Sequence, residues 1–360
     1  MKYVLVYGMT SNPGGIESYL LNLLKCTKKY GVQLDFVTDF PSIAYEKEIR
    51  EYQGKIYYIN RKGKKLIKHW REFYKILKKH PEYSTVYFNA LDAGVLFTAV
   101  IPWLLKRKVV IHSHNGETSK RMLQTVTRPL LGLITDKRVA CSRLAAEFMF
   151  GKKASKEALI VPNAITLDKY QFKQEIRENI RKKMGIEKKI VLCHIGRLSE
   201  QKNPFRLLEI LVAVLKKEKN VVLLSVGTGE LEDEVHDYAR KLGVEDHVKF
   251  LGKRNDVSDL LQAADVFVLP SKYEGLPIVA IEAQAAGIPS VLSSAISSET
   301  NISGKIEFVD LQEKDEKWAD IILMSAKRER YCCIEKLKEK GYDSSDVSEQ
   351  TRQLIAILKR

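Results

Sequence analysis

Glu274 and Glu282 are separated by seven residues at the end of an apolar stretch, in Pro270-Ser271-Lys272-Tyr273-Glu274-Gly275-Leu276-Pro277-Ile278 and the helical pattern that follows. A strand over 266–269 is expected to run into this turn, and a helix to open at Pro277, where a missing N–H costs nothing. Backbone N–H groups around Leu276, Pro277 and Ile278 would then attract a phosphate. A carboxylate in the turn can take a sugar hydroxyl, and one a turn into the helix can reach a ribose. Upstream, Arg197 and Lys202 flank the loop of Gly196-Arg197-Leu198-Ser199-Glu200-Gln201-Lys202-Asn203-Pro204. A guanidinium fork and an ammonium converging there would clamp a diphosphate, although exposed cations are usually only solvated. Gly14 and Gly15 follow the first strand and would let the backbone approach a ligand, or merely make a tight turn. They do not form the G-x-G-x-x-G of a dinucleotide site. His112 and His114 close another strand and point the same way. No third ligand at suitable spacing accompanies them, so a metal site is not expected. His114 is the preferred contact for a substrate and His112 the second choice, against a purely structural histidine.

The elements that must hold these residues alternate throughout. Strand-length apolar runs cover 3–7, 33–37, 56–59, 86–88, 109–111, 138–140 and 159–161, then 190–194, 221–225, 248–251, 266–269 and 290–292. Helical patterns lie between them, among others over 16–29, 64–79, 119–133, 204–217, 231–241 and 277–286. This order predicts an α/β chain with two doubly wound parallel sheets in tandem, and ligands at the carboxyl ends of the strands in a central cleft. The join is expected near 163–173.

Composition narrows the class. The 360 residues suit two domains of ordinary size. The longest nearly continuous apolar run, 93–105, is too short to cross a bilayer and contains Pro102. A strand begins at once, leaving no room for a secretory signal, and five cysteines without C-x-x-C spacing read as reduced thiols; a cytoplasmic protein is expected. The net charge of +15 lies wholly within residues 1–170, which hold 29 Lys and Arg against 14 Asp and Glu. Such asymmetry points to an anionic partner, a membrane surface or a nucleic acid. The densest part is 61–80, with nine Lys or Arg and one Glu. There Leu66, Trp70, Phe73, Tyr74 and Leu77 fall on one helical face expected to pack on the sheet.

Together the P-S-x-x-E-G-x-P frame with its second glutamate, G-R-x-x-x-x-K-N, Gly14-Gly15-Ile16-Glu17, Pro162-Asn163-Ala164-Ile165 and Gly227-Thr228-Gly229 resemble the family 4 glycosyltransferases with the GT-B fold. The matches run from Gly14 to Pro289. Ala164 replaces a more usual glycine, and the segment after Pro289 looks most like enzymes of bacterial exopolysaccharide and capsule synthesis. The resemblance implies two Rossmann-like domains: 1–168, acceptor-binding, with a C-terminal helix over 345–360 packing back onto it, and 169–344, nucleotide-sugar-binding. It implies metal-independent transfer with retention from a nucleotide-diphosphate sugar, with UDP the expected nucleotide, to a polyprenyl-diphosphate-linked saccharide. The donor is a substrate, and no cofactor is expected. By the same resemblance His114, Glu274, Arg197 and Lys202 carry catalysis. Gly14, Gly15, Leu276, Pro277, Ile278 and Glu282 join Arg197, Lys202 and Glu274 around the donor, Glu282 on the ribose. No D-x-D pair exists to hold a divalent ion. The protein is expected at the inner face of the cell membrane, held peripherally by its basic half and without nucleic acid. A nucleotide-sugar 2-epimerase on the same fold and a non-catalytic nucleic-acid binder are the alternatives.

Overall fold

A computed structural model describes residues 1–63, 65–345 and 347–360. It divides into two compact units: Met1–Ile165 with Gly341–Arg360, and Thr166–Lys340.

The first unit contains strands β1 (Lys2–Tyr7), β2 (Val32–Thr38), β3 (Ile56–Tyr58), β4 (Thr85–Ala90), β5 (Lys108–Ser113), β6 (Lys137–Ala140) and β7 (Leu159–Ile160). All pair in parallel, in the order β3-β2-β1-β4-β5-β6-β7. Helices α1 (Gly15–Thr27), α2 (Glu46–Glu51), α3 (Leu66–Lys79), α4 (Leu96–Leu104), α5 (Arg121–Ile134) and α6 (Arg143–Ala154) connect them. The second unit has α7 (Gln174–Met184), β8 (Ile190–Ile195), α8 (Pro204–Lys217), β9 (Val221–Val226), α9 (Glu232–Lys241), β10 (Val248–Phe250), α10 (Val257–Ala263), β11 (Val266–Leu269), α11 (Ile278–Ala285), β12 (Ser290–Ser293), β13 (Ile306–Val309), α12 (Asp315–Ala326) and α13 (Ile334–Glu339). Its parallel order is β10-β9-β8-β11-β12-β13. The expectation of two doubly wound sheets holds. In each the strand order reverses beside the first strand, between β1 and β4 and between β8 and β11, where such sheets open a crevice at their carboxyl ends.

Both faces of each sheet are buried. In the first unit Val4, Leu34 and Tyr87 pack with α1 on one side, while Leu5, Val86 and Phe88 pack with α3, α4 and α5 on the other. In the second, Trp318 of α12 joins the cluster over Leu223 and Val268, opposite Leu224, Phe267 and Leu292. The chain re-enters the first unit at Gly341. Asp343 bridges Ile165 in parallel, and a last helix, α14 (Glu349–Lys359), sets Leu354, Ile355 and Leu358 into the cluster with Leu34.

Several local expectations need correction. β13 was not anticipated, because its Glu307 interrupts the apolar run. α14 starts at Glu349 rather than 345; the Ser348 side chain accepts from the Thr351 N–H and so sets the start, and Asp346 lies outside the described residues. α11 begins at Ile278. Pro277 is the flanking residue, in extended backbone (φ −70°, ψ 113°), not the first helical one. The helix expected over 64–79 begins at Leu66, and Lys64 lies outside the described residues. Its inward face is His69, Phe73 and Leu77, whereas Tyr74 is 40% exposed. His69 is buried because both ring nitrogens are bonded, Nδ1 to the Asn60 carbonyl at 2.7 Å and Nε2 to the Thr98 hydroxyl at 3.0 Å.

Candidate active site

The loops that leave β8 and β11, at the crevice of the second sheet, are bonded to each other. Lys202 Nζ lies 2.5 Å from Glu274 Oε1, and the two side chains are only 17% and 9% exposed. The lysine gets there by lying over Gly196: a β-carbon on that glycine would sit 3.2–3.3 Å from Lys202 Cγ, Cδ and Cε. Neighbours hold the loops in register. Gln201 Nε2 donates to the Tyr273 carbonyl at 3.0 Å, Lys272 N–H to the Gln201 carbonyl at 2.8 Å, and Asn203 Nδ2 to the Pro270 carbonyl at 3.2 Å. Asn203 adopts the left-handed region (φ 57°), a conformation asparagine tolerates, directly before Pro204 opens α8.

A third loop, after β9, supports the first. An added β-carbon would lie 2.1 Å from the Gly196 carbonyl oxygen at Gly227 and 2.1 Å from the Leu198 carbonyl oxygen at Gly229. The bare backbone of the G-x-G segment therefore carries the 196–203 loop. Arg197 projects into solvent from that loop. Leu276 and Pro277 are buried and Ile278 half-buried at the start of α11.

Glu282, one turn into α11, accepts a 2.6 Å hydrogen bond from the Tyr170 hydroxyl. Burial raises its carboxyl above the usual range, and the Tyr170 bond partly offsets this. The sequence reading missed Tyr170. It comes from the segment after the first unit, 112 positions away, and carries no local signal. Gln201 was missed for a similar reason, although it lay within the quoted frame.

In the first unit Gly14, in extended backbone, flanks α1 and Gly15 is its first residue. Glu17 turns inward, where Oε1 accepts from the Thr10 N–H at 3.1 Å and hydroxyl at 2.7 Å. It thus closes the loop from below and leaves the two glycines on the helix start. His112 lies within β5 with no exposed surface, and its Nδ1 is 2.5 Å from the Tyr87 hydroxyl. His114 stands one residue past the strand, 6% exposed, with Nε2 2.9 Å from Asn89 Oδ1. The two rings are 4.0 Å apart, centre to centre. Burial lowers the pKa of His114 to about 3 and holds His112 well below the usual histidine range, so both are neutral at physiological pH. His112 Nε2 is buried without a hydrogen-bond partner among the described residues, whereas Asn163 faces the His114 ring and partly offsets its lowered pKa.

Residues 13–169 match the model of Glycosyltransferase Family 4, and residues 176–326 that of Glycosyl transferases group 1. EpsF of Bacillus subtilis, assigned as a glycosyltransferase, is 30% identical over 349 residues, 92% of this chain and 91% of that protein. The chain belongs to the family 4 glycosyltransferases.

This glycosyltransferase is also 29% identical over 237 residues, 61% of its length and 60% of the other's, to an Escherichia coli UDP-Gal:alpha-D-GlcNAc-diphosphoundecaprenol alpha-1,3-galactosyltransferase. Its fold matches that of Anabaena HepE, solved in complex with UDP and glucose, at a TM-score of 0.81 over 99% of both chains and 19% identity. The fold is thus GT-B. Family membership sets aside the epimerase and the nucleic-acid binder. In the glycosyltransferase, the expected donor residues Lys202 and Glu274 form one unit, Glu282 sits with Tyr170, and His114 belongs to the other sheet's crevice edge.

Proposed function

We propose that this glycosyltransferase moves a sugar, with retention and without a metal ion, from a UDP-sugar to a polyprenyl-diphosphate-linked saccharide during exopolysaccharide or capsule synthesis. The observation that carries the reading is the Lys202–Glu274 pair at the carboxyl ends of β8 and β11, beside the start of α11. An ammonium has three N–H donors. One on Glu274 leaves two for a phosphate, so Lys202 can orient the sugar-binding carboxylate and meet the leaving diphosphate together. Arg197 and the N–H groups near Leu276, Pro277 and Ile278 add to that charge. Glu282, held by Tyr170, takes the ribose. His114, neutral, offers a ring nitrogen to the sugar near its reacting carbon, and Gly14 and Gly15 let donor phosphate or acceptor approach the first unit's backbone. Neither glutamate is assigned as a nucleophile, since both lie on the donor side. The donor and acceptor classes are supported by the names of the relatives: UDP-Gal and a diphosphoundecaprenol for the Escherichia coli enzyme, UDP and glucose for HepE.

The basic half would hold the enzyme peripherally at the inner face of the membrane, beside a lipid-linked acceptor. Among the described residues no helix is long and apolar enough to cross a bilayer. The test is UDP release from a panel of UDP-sugars, with and without a short polyprenyl-diphosphate saccharide and with EDTA. Release that needs the acceptor and survives EDTA is expected. Turnover confined to another nucleotide, or complete loss on chelation restored by Mn²⁺, would overturn the reading.

A further inference from the structure

α5 turns an apolar stripe to solvent. Met122, Val126, Leu130 and Leu133 are 83, 63, 50 and 78% exposed and recur along one side of the helix. The inward side sets Leu131 and Ile134 into the buried cluster and carries two polar groups beside them. Gln124 accepts from the Ala93 N–H at 2.7 Å and donates to the Phe148 carbonyl at 2.9 Å, and Thr127 donates to the Leu123 carbonyl at 2.7 Å. A helix of a soluble domain normally lays its apolar stripe on the core. α5 does so with Leu131 and Ile134 and carries a second apolar stripe on its outer side.

The patch extends to its neighbour. α4 exposes Phe97, Trp103 and Leu104 at 38, 46 and 64%. α4 contacts both α3 and α5, and all three contribute to one buried cluster through Phe73, Ala99 and Leu131. Trp70 of α3 donates to the Phe97 carbonyl. The three helices therefore lie side by side on one face of the first sheet, and the exposed residues of α3 are mostly basic: Lys68, Arg71, Lys75, Lys78 and Lys79.

We infer that the exposed faces of α4 and α5 insert into the interfacial layer of an anionic bilayer while the basic face of α3 rests on its headgroups. Contiguous apolar surface of this kind marks an interaction site. The basic face of the adjacent α3 selects the occupant: a second copy would bring the same positive charge against it, whereas anionic headgroups complement it. At fourteen residues, α5 is about 21 Å long and suits lying in the interface rather than crossing it. It also follows directly from the segment that begins at His114, so insertion brings that segment to the bilayer. This inference deepens the membrane part of the proposed function and is independent of the donor chemistry.

The experiment is co-sedimentation with phosphatidylglycerol vesicles, repeated with brominated acyl chains that quench tryptophan at the interface. The parent should bind and be quenched, and Trp103→Phe should remove most of the quenching. Leu130→Ser/Leu133→Ser should weaken partitioning about tenfold or more and abolish quenching, while thermal melting and UDP binding stay as in the parent. Lys68→Glu/Arg71→Glu should weaken binding mainly at low salt, leaving the bound fraction quenched. If the α5 variant binds as the parent does, charge alone holds the protein; insertion is then wrong and the lipid-linked acceptor reading stands. If the parent binds no vesicle, both insertion and membrane attachment fail. A solution dimer dissolved by the same α5 substitutions would assign the patch to a second copy and overturn the proposal.

Discussion

Lys202 meets Glu274 across 72 positions of sequence, Nζ to Oε1 at 2.5 Å, because Gly196 has no side chain to stop the lysine lying flat across the loop. Each charge is largely withdrawn from water and each is the other's partner. Such a pair adds little net stability, but breaking it by removing one member leaves a buried charge uncompensated.

The pair can therefore be tested in two ways at once. Lys202→Ala should cut transfer about thirtyfold or more, if half of a charge contact of about 4 kcal/mol is realised in the transition state. It should also lower the melting temperature. Lys202→Met with Glu274→Gln should recover stability without recovering turnover. UDP-release kinetics beside thermal melts measure both, and normal turnover in Lys202→Ala would remove the residue from the site.

Tyr170 and Glu282 predict a pH effect. Burial raises the Glu282 carboxyl pKa above its unfolded value, so the native state keeps a proton longer and loses stability as pH rises through the folded pKa. Tyr170→Phe removes a bond that opposes this rise. Its stability deficit should be larger at pH 8 than at pH 5. If an ionised Glu282 takes the ribose, UDP affinity should fall about tenfold and its decline on acidification should begin at higher pH. Calorimetric titration across pH checks this; parallel profiles would dismiss the coupling.

His112, His114 and His194 predict acid sensitivity of the fold. Burial lowers all three pKa values, to about 3 for His114 and about 4 for His194. The unfolded chain protonates them below about 6.5 while the native state does not. Stability should therefore fall as pH drops from 6.5, by up to about 1.4 kcal/mol per pH unit for each histidine until its own folded pKa is reached. His114→Gln should lessen that slope in urea melts at pH 6.5, 5.5 and 5.0, and should reduce transfer with little change in UDP affinity. An unchanged slope would contradict the burial of this ring.

Gly227→Ala and Gly229→Ala should each destabilise the second unit by about 2–4 kcal/mol, because the added carbon meets a carbonyl oxygen 2.1 Å away that belongs to the Lys202 loop. UDP binding should weaken in the same variants, since that loop must shift. Wild-type urea midpoints in either would show that the loop yields at no cost.

The alternation of apolar runs with helical patterns was legible from local periodicity, and so were nearly all strands, since a buried parallel strand needs continuous apolar residues wherever it is placed. The motif carriers were legible because chemistry at a strand end demands particular residue types at short spacing. Only the tertiary structure showed that Lys202 and Glu274 touch, that Tyr170 reaches Glu282, and that Gly227 bears on Gly196. These contacts join positions far apart in the chain, and no local spacing encodes which loops the sheet order brings together. The same limit hid the α5 stripe. Periodicity reveals that a helix has an apolar side, but only its packing partners decide whether that side faces the sheet or the solvent. Here Gln124, bonded to Ala93 and Phe148, faces inward with Leu131 and Ile134, and leaves Leu130 and Leu133 facing out.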